Sequence, residues 1–147
     1  MSKYINGQHY SWADITIKLP GGLDIDIQSI EYGDEVEKEL AYGLGSMPKG
    51  FGRGNYKPSC KLSMVRDDYN RFADWCKSRG KALYDVTLDK IVVCYAQEGE
   101  PTITDVISKA TILKVDTKAA QNDKTLPVDM ELLPMEIIRD GLQPTAR

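Results

Sequence analysis

Hydrophobic and polar residues alternate along most of this 147-residue chain, and alternation of that period predicts strands. In SWADITIKL, residues 11–19, Ala13, Ile15, Ile17 and Leu19 share one face, opposite Asp14, Thr16 and Lys18. Pro20-Gly21-Gly22 signals a turn. LDIDIQSIEY then resumes the period, with Leu23, Ile25 and Ile27 opposite Asp24, Asp26 and Gln28. Ile30 and Tyr32 fall on the other parity, which predicts a bulge or a strand covered on both faces. These first two strands are expected to form a hairpin. KPSCKLSMV, residues 57–65, reads as a further strand with Cys60, Leu62 and Met64 opposite Lys61 and Ser63. Residues 83–95 and 103–116 predict a long antiparallel hairpin around the turn AQEGEPT, with a phase change near Asp89-Lys90. Apolar residues occupy both parities there, so something is expected on each side: the helix on one, and a neighbouring copy of the chain that covers the other or extends the sheet edge to edge. TLPVDMELLPMEI closes the chain with Leu126, Val128, Met130 and Leu132 on one face, and the tail DGLQPTAR reads as frayed.

One segment has the period of a helix instead. In DDYNRFADWCKSRG, residues 67–80, Tyr69, Phe72, Ala73 and Cys76 recur at i, i+3, i+4 and i+7 and form one apolar stripe, with Trp75 beside it. Asp67 or Asp68 is placed to cap the start, and Gly80 to supply the left-handed stop. Lys77 and Arg79 sit at the negative end of the dipole. Tyr69, Phe72, Trp75 and Cys76 are therefore expected to pack the helix against a sheet. Strands, one helix and more strands predict a mainly β, α+β fold: a single domain over 1–147, built as an antiparallel sandwich or barrel with one packed α-helix.

Residues 39–60, ELAYGLGSMPKGFGRGNYKPSC, break the pattern with five glycines and two prolines. They predict a long irregular inter-strand loop over 40–57, longer than the dozen residues at which loops become uncommon in small domains. Leu44, Met47, Phe51 and Tyr56 are too apolar to be left in water without reason. Glycines for reach and apolar residues for contact suit a surface that orders against a partner subunit. Phe51, Arg53 and Tyr56 between glycines also match the aromatic and arginine pattern of segments that bind single-stranded nucleic acid.

Composition narrows the function classes. A hydrophobic fraction of 41% and a charged fraction of 28% in mixed signs belong to a folded chain. A net charge of −3 gives no general attraction for polyanions. No apolar run approaches the roughly 18 residues of a membrane span, and the start MSKYINGQHY has no apolar signal core. Cys60, Cys76 and Cys94 are far apart, odd in number and form no CxxC pair, which fits synthesis in a reducing cytoplasm. The one histidine, His9, lies in the N-terminal arm with no catalytic partner suggested. Neither a P-loop nor a dinucleotide fingerprint is present in the glycine-rich segment. Asp24 with Asp26 reads as a solvated strand face, and Asp67 with Asp68 as a helix cap, rather than as cation sites. No catalytic residue, metal or cofactor is expected.

The order and spacing of these segments, over about residues 10–140, resembles the tail tube proteins of bacteriophages and phage-derived particles, including tubes related to the type VI secretion tube. The segments that carry the resemblance are a strand pair ending in SIEYGDEVEKE, the stretch LGSMPKGFGRGNYKPS leading into KLSMVRDDYNRF, the helix FADWCKSRGKALYDVTL feeding a long hairpin, and the closing VDMELLPMEI. The resemblance implies six copies in a ring, their sheets joined into one barrel around a channel, and rings stacked into a virion tail tube through which DNA passes without specific binding. Sheath, tape measure and baseplate proteins would be its further partners. Residues 1–9 would be an arm, 40–57 an assembly loop reaching the adjacent ring, and 139–147 a tail. Composition then nominates Leu44, Met47, Phe51, Arg53 and Tyr56 as contacts between subunits or rings. Two other readings stay open: a monomeric sandwich module that binds a ligand or nucleic acid through the same loop, and a related baseplate or tail-terminator protein.

Overall fold

The computed structural model describes residues 11–96, 99, 101–122 and 124–145; His9 and the 1–9 arm lie outside them. The strands are β1 (Ile15–Lys18), β2 (Ser29–Tyr42), β3 (Pro48–Val65), β4 (Thr87–Tyr95), β5 (Ile103–Thr117), β6 (Pro127–Leu133) and β7 (Glu136–Arg139), with the helix α1 (Arg66–Ser78) between β3 and β4. They form one antiparallel sheet in the order β1-β4-β5-β6-β3-β2, with β7 also paired to β5. The β-rich class with one α-helix is as expected. The sheet is open, however, with β1 and β2 as its edges, and does not close into a barrel.

Strand pairing corrects three expectations. β1 pairs with β4, Ile15 opposite Tyr95 and Lys18 opposite Val92, so the first two predicted strands do not form a hairpin. Residues 23–27 pair with no strand, although Leu23, Ile25 and Ile27 still pack on the core. Alternation reports which side of a segment is buried, not whether its backbone pairs. The loop expected over 40–57 is replaced by strand: β2 pairs with β3 from Ser29–Ser63 out to Tyr42–Pro48, and only residues 43–47 turn. The apolar residues on both parities of β4 and β5 arise mainly from a shift of phase. Lys109 adopts φ 49, opposite Asp89, and the shift brings Leu88, Ile91, Val93, Ile107, Ala110 and Ile112 all into the same core. On the outer face a row that includes Val92, Val106 and Ile138 is half-buried.

The closing segment splits at Pro134 into β6 and β7, which follow one another along β5. The Met135 N–H bonds Ser108 O at 2.9 Å and bridges the break. The tail is folded at its start rather than frayed. Asp140 and Gly141 take positive φ, and the Leu142 N–H returns to Arg139 O at 2.9 Å.

α1 closes the core. Phe72 and Cys76 are buried, with Tyr69 and Trp75 partly so, and the ring of Phe72 lies 6.0 Å from Trp75 and 6.4 Å from Tyr69. Gly80 has the left-handed φ of 68 that ends the helix. The N-cap is Val65, so Asp67 and Asp68 do not cap; they lie in the first turn, where carboxylates favour the positive end of the dipole. Asp68 is buried and accepts a bond from Arg71 Nη1 at 3.3 Å. The Trp75 Nε1–H donates to Gly21 O at 3.1 Å and ties the β1–β2 connection to the helix. The three cysteines are free, and burial pushes the Cys60 thiol up to about 12.

Candidate functional site

β2 and β3 are much longer than the strands beside them. β3 pairs with β6 only over Cys60–Val65, and beyond that point β2 and β3 continue as a two-stranded ribbon. From the Val36–Tyr56 pair to the turn it extends roughly 20 Å at the usual rise of a strand. A lone ribbon of this kind is marginally stable in water.

One of the glycines that suggested a loop has a steric reason in this ribbon. At Gly54 a Cβ would come within 2.8 Å of the Glu37 Cβ, so the Glu37 side chain occupies that space. At Gly52, opposite Glu39, the nearest atom would stand 3.6 Å from a Cβ, an ordinary contact. Lys57 pairs with Glu37 at the base of this acidic face; the bond raises the lysine's pKa and lowers the glutamate's. The other face has pairs of larger side chains: Lys38 opposite Arg53 and Leu40 opposite Phe51, with Tyr42 opposite Pro48 beyond them. Directly opposed residues share a face. The ribbon is therefore two-sided, acidic over glycine on one side and apolar with a basic rung on the other.

Its apolar residues face water. Leu44 is 98% exposed, Met47 76% and Phe51 74%, with Leu40 and Tyr42 also exposed. Of the five residues expected to make contacts, Leu44, Met47, Phe51 and Arg53 lie in the outer ribbon, with Arg53 one rung inward of Phe51. Tyr56 is separate from them and is held at the root. Its hydroxyl donates to Asp34 Oδ2 at 2.7 Å and accepts from the Ile137 N–H at 3.0 Å. Burial, with the Asp34 bond second, pushes the Tyr56 hydroxyl up to about 12.

The root is a network that sequence reasoning did not find. Asp34 Oδ1 also accepts from Arg139 Nη1 at 2.8 Å, so this carboxylate joins β2, β3 and β7. The bond to Asp34 raises the pKa of Arg139 further. One turn of alternation inward, the Tyr32 hydroxyl bonds Asp105 and Tyr95, joining β2 to β5 and β4. Burial first, then those bonds, hold Tyr32 far above the ordinary phenol range. The Asp140 N–H, at 3.2 Å from Asp105 Oδ1, completes this second centre, and the Arg139 guanidinium stands 6.0 Å from the Tyr32 ring. No local signal marked these residues, because Asp34 and Arg139 are 105 positions apart.

The sheet face away from α1 carries one row of alternating charge across four strands: Lys114 on β5, Glu131 on β6, Lys61 on β3 and Glu31 on β2. Among the described residues no group of three or more His, Cys, Asp or Glu could hold a metal ion. Nor, among the described residues, is any helix long and apolar enough to cross a membrane.

No protein-family model and no curated protein matches the chain. Solved structures do. The chain is similar to the SPP1 tail tube (TM-score 0.63, 12% identity, over 90% of this chain and 79% of that one). It is similar to a chain of the sheath/tube terminator of PVC, an extracellular contractile injection system (TM-score 0.62, 15% identity, over 88% and 94%). It is also similar to a type six secretion system protein (TM-score 0.56, 10% identity, over 86% and 82%). At these identities the similarity is one of fold, and the fold is that of tube components from phage tails and injection systems.

Proposed function

We propose that this chain is a structural, non-catalytic subunit of a phage or phage-derived tail tube. Six copies close into a ring, the number implied by the resemblance, and rings stack into a tube around a channel for DNA. The observation that carries the proposal is the ribbon: a marginally stable pair of strands extends its apolar residues into water on a fold shared with tube components. Leu44, Met47 and Phe51 are the inter-ring contacts, with Arg53 beside them. Burial on a neighbour offsets the exposure of those side chains. Six ribbons acting together make a weak single contact into a stable stack. The face with the Lys114–Glu131–Lys61–Glu31 row is the channel wall. Its alternating charges give phosphate little net attraction, so DNA passes without being held. Sheath, tape measure and baseplate proteins are the further partners, and the particle tail is the location.

Similarity to a terminator structure favours one alternative, a ring that caps a tube. A tube subunit stacks on both ends, whereas a terminator stacks on one. Leu44→Ser combined with Phe51→Ser tests the ribbon's role. Both sites are exposed, so stability should change by no more than about 0.5 kcal/mol. Electron microscopy should show that long tubes are lost. Long tubes formed by the double variant would show that the ribbon tip is not the stacking contact.

A further inference from the structure

We propose that Asp34 is a positioning residue: with Tyr56 and Arg139 it forms a latch that fixes the angle at which the β2–β3 ribbon leaves the sheet. The inference rests on the proposed role of the ribbon in stacking and adds what aims it.

Among the described residues, the ribbon's outer part has no strand beside it. Its direction is therefore set at its root. Backbone pairing holds the ribbon only as far as Cys60, where the β3–β6 ladder ends; beyond it, among the described residues, β2 and β3 pair with each other alone and leave together. Side chains set the direction from there. Asp34 on β2 accepts Tyr56 Oη at 2.7 Å and Arg139 Nη1 at 2.8 Å. The same Tyr56 oxygen accepts the Ile137 N–H at 3.0 Å. Both arms are thus held to β7, a strand already fixed by pairing with β5. Just outside the latch the register shifts between Val36 and Lys38, and such a bulge bends and twists a strand. The latch thus holds the last rung before the bend. An open cleft of about 360 Å³ lined by Asp34, Lys38, Tyr56, Arg139 and Leu142 lies beside it, so the ribbon has room to swing if the latch is released. Three directional bonds, two of them charge-assisted, suit a part that must present a contact face at one angle. A pre-aimed ribbon docks without losing orientational freedom at each of six sites.

The test separates aim from stability. Tyr56→Phe keeps the ring and removes the hydroxyl; Asp34→Asn keeps the size and removes the charge; Arg139→Lys keeps the charge and serves as the conservative variant against Arg139→Met. Spin labels at Ser46→Cys on the turn and Asp74→Cys on α1, in a Cys94→Ser background, report the ribbon's angle in the free subunit. Cys60 and Cys76 are buried and remain in place. The latch predicts one narrow distance in the parent and a broadened distribution in Tyr56→Phe, Asp34→Asn and Arg139→Met, with Arg139→Lys closer to the parent. The critical concentration for tube growth should rise about tenfold or more in the broadened variants, the scale of a lost charge-assisted bond. An unchanged distance distribution in Tyr56→Phe and Asp34→Asn overturns the latch. If Asp34→Asn does not fold, Tyr56→Phe alone decides. If the distribution broadens while the critical concentration stays the same, the latch does not serve stacking and the proposal fails. The Leu44→Ser/Phe51→Ser variant keeps the two readings apart: if it grows tubes normally, the stacking role fails whatever the latch variants do.

Discussion

Phe72 is 1% exposed, at the point where α1 meets the sheet. Truncation there leaves a cavity that Trp75 and Tyr69 cannot both collapse into, because Trp75 is tied to Gly21. Phe72→Ala should cost about 3–5 kcal/mol by chemical denaturation. A cost below about 1 kcal/mol would mean that the helix is not the lid of the core. Tyr32 and Tyr56 give a second residue-scale prediction. Both hold their protons more tightly folded than unfolded, by burial first and hydrogen bonding second. The stability they contribute is fully present below the unfolded phenol value of about 10. It is lost as pH rises from there through the folded value, about 12 for Tyr56. Ultraviolet titration should find these two of the eight tyrosines un-ionised until the protein unfolds in alkali. Tyr56→Phe should make the alkaline loss of stability smaller. Ionisation of all eight near the ordinary value in a folded protein would remove the network from the account.

At the scale of elements, the ribbon is the element on which the proposed function rests, and it was the least legible in the sequence. GFGRGNY does alternate, glycine against Phe51, Arg53 and Asn55. Glycine is a poor strand former, so the alternation read as a loop. The structure gives a reason for one of these glycines: Glu37 lies where a Cβ at Gly54 would stand. Glycine inside a strand pattern can mark such a close approach, and that was the available signal. α1 was legible because four apolar residues at helical spacing leave little choice of period. The partners of β1 and β7 were not, because pairing between distant segments leaves no local trace. The same holds for the Asp34–Arg139 bond at the root. Among the expected contacts, composition grouped Tyr56 with Phe51, although its hydroxyl is bonded within the chain. The ribbon's isolation has a measurable consequence. Its outer amides, from Lys38 to Arg53, should exchange with solvent quickly in the free subunit, since one pair of strands gives little protection. They should become protected on assembly. Equal exchange in both states would show that no neighbour covers the ribbon.

At the scale of the molecule, the described residues leave sheet edges at β1 and β2, a ribbon with exposed apolar side chains and one face with a row of alternating charge. This combination favours the proposed assembly over a monomeric module, because open edges and exposed apolar residues both invite association. The proposed ring would use the edges, and the proposed stack the ribbon. The most direct measurement is electron microscopy of the purified, concentrated protein. The account predicts rings of six subunits with a central opening, stacked into tubes whose length grows with concentration. Uniform particles of single-subunit size at every concentration would contradict it, and rings that never stack would leave the terminator in place of the tube.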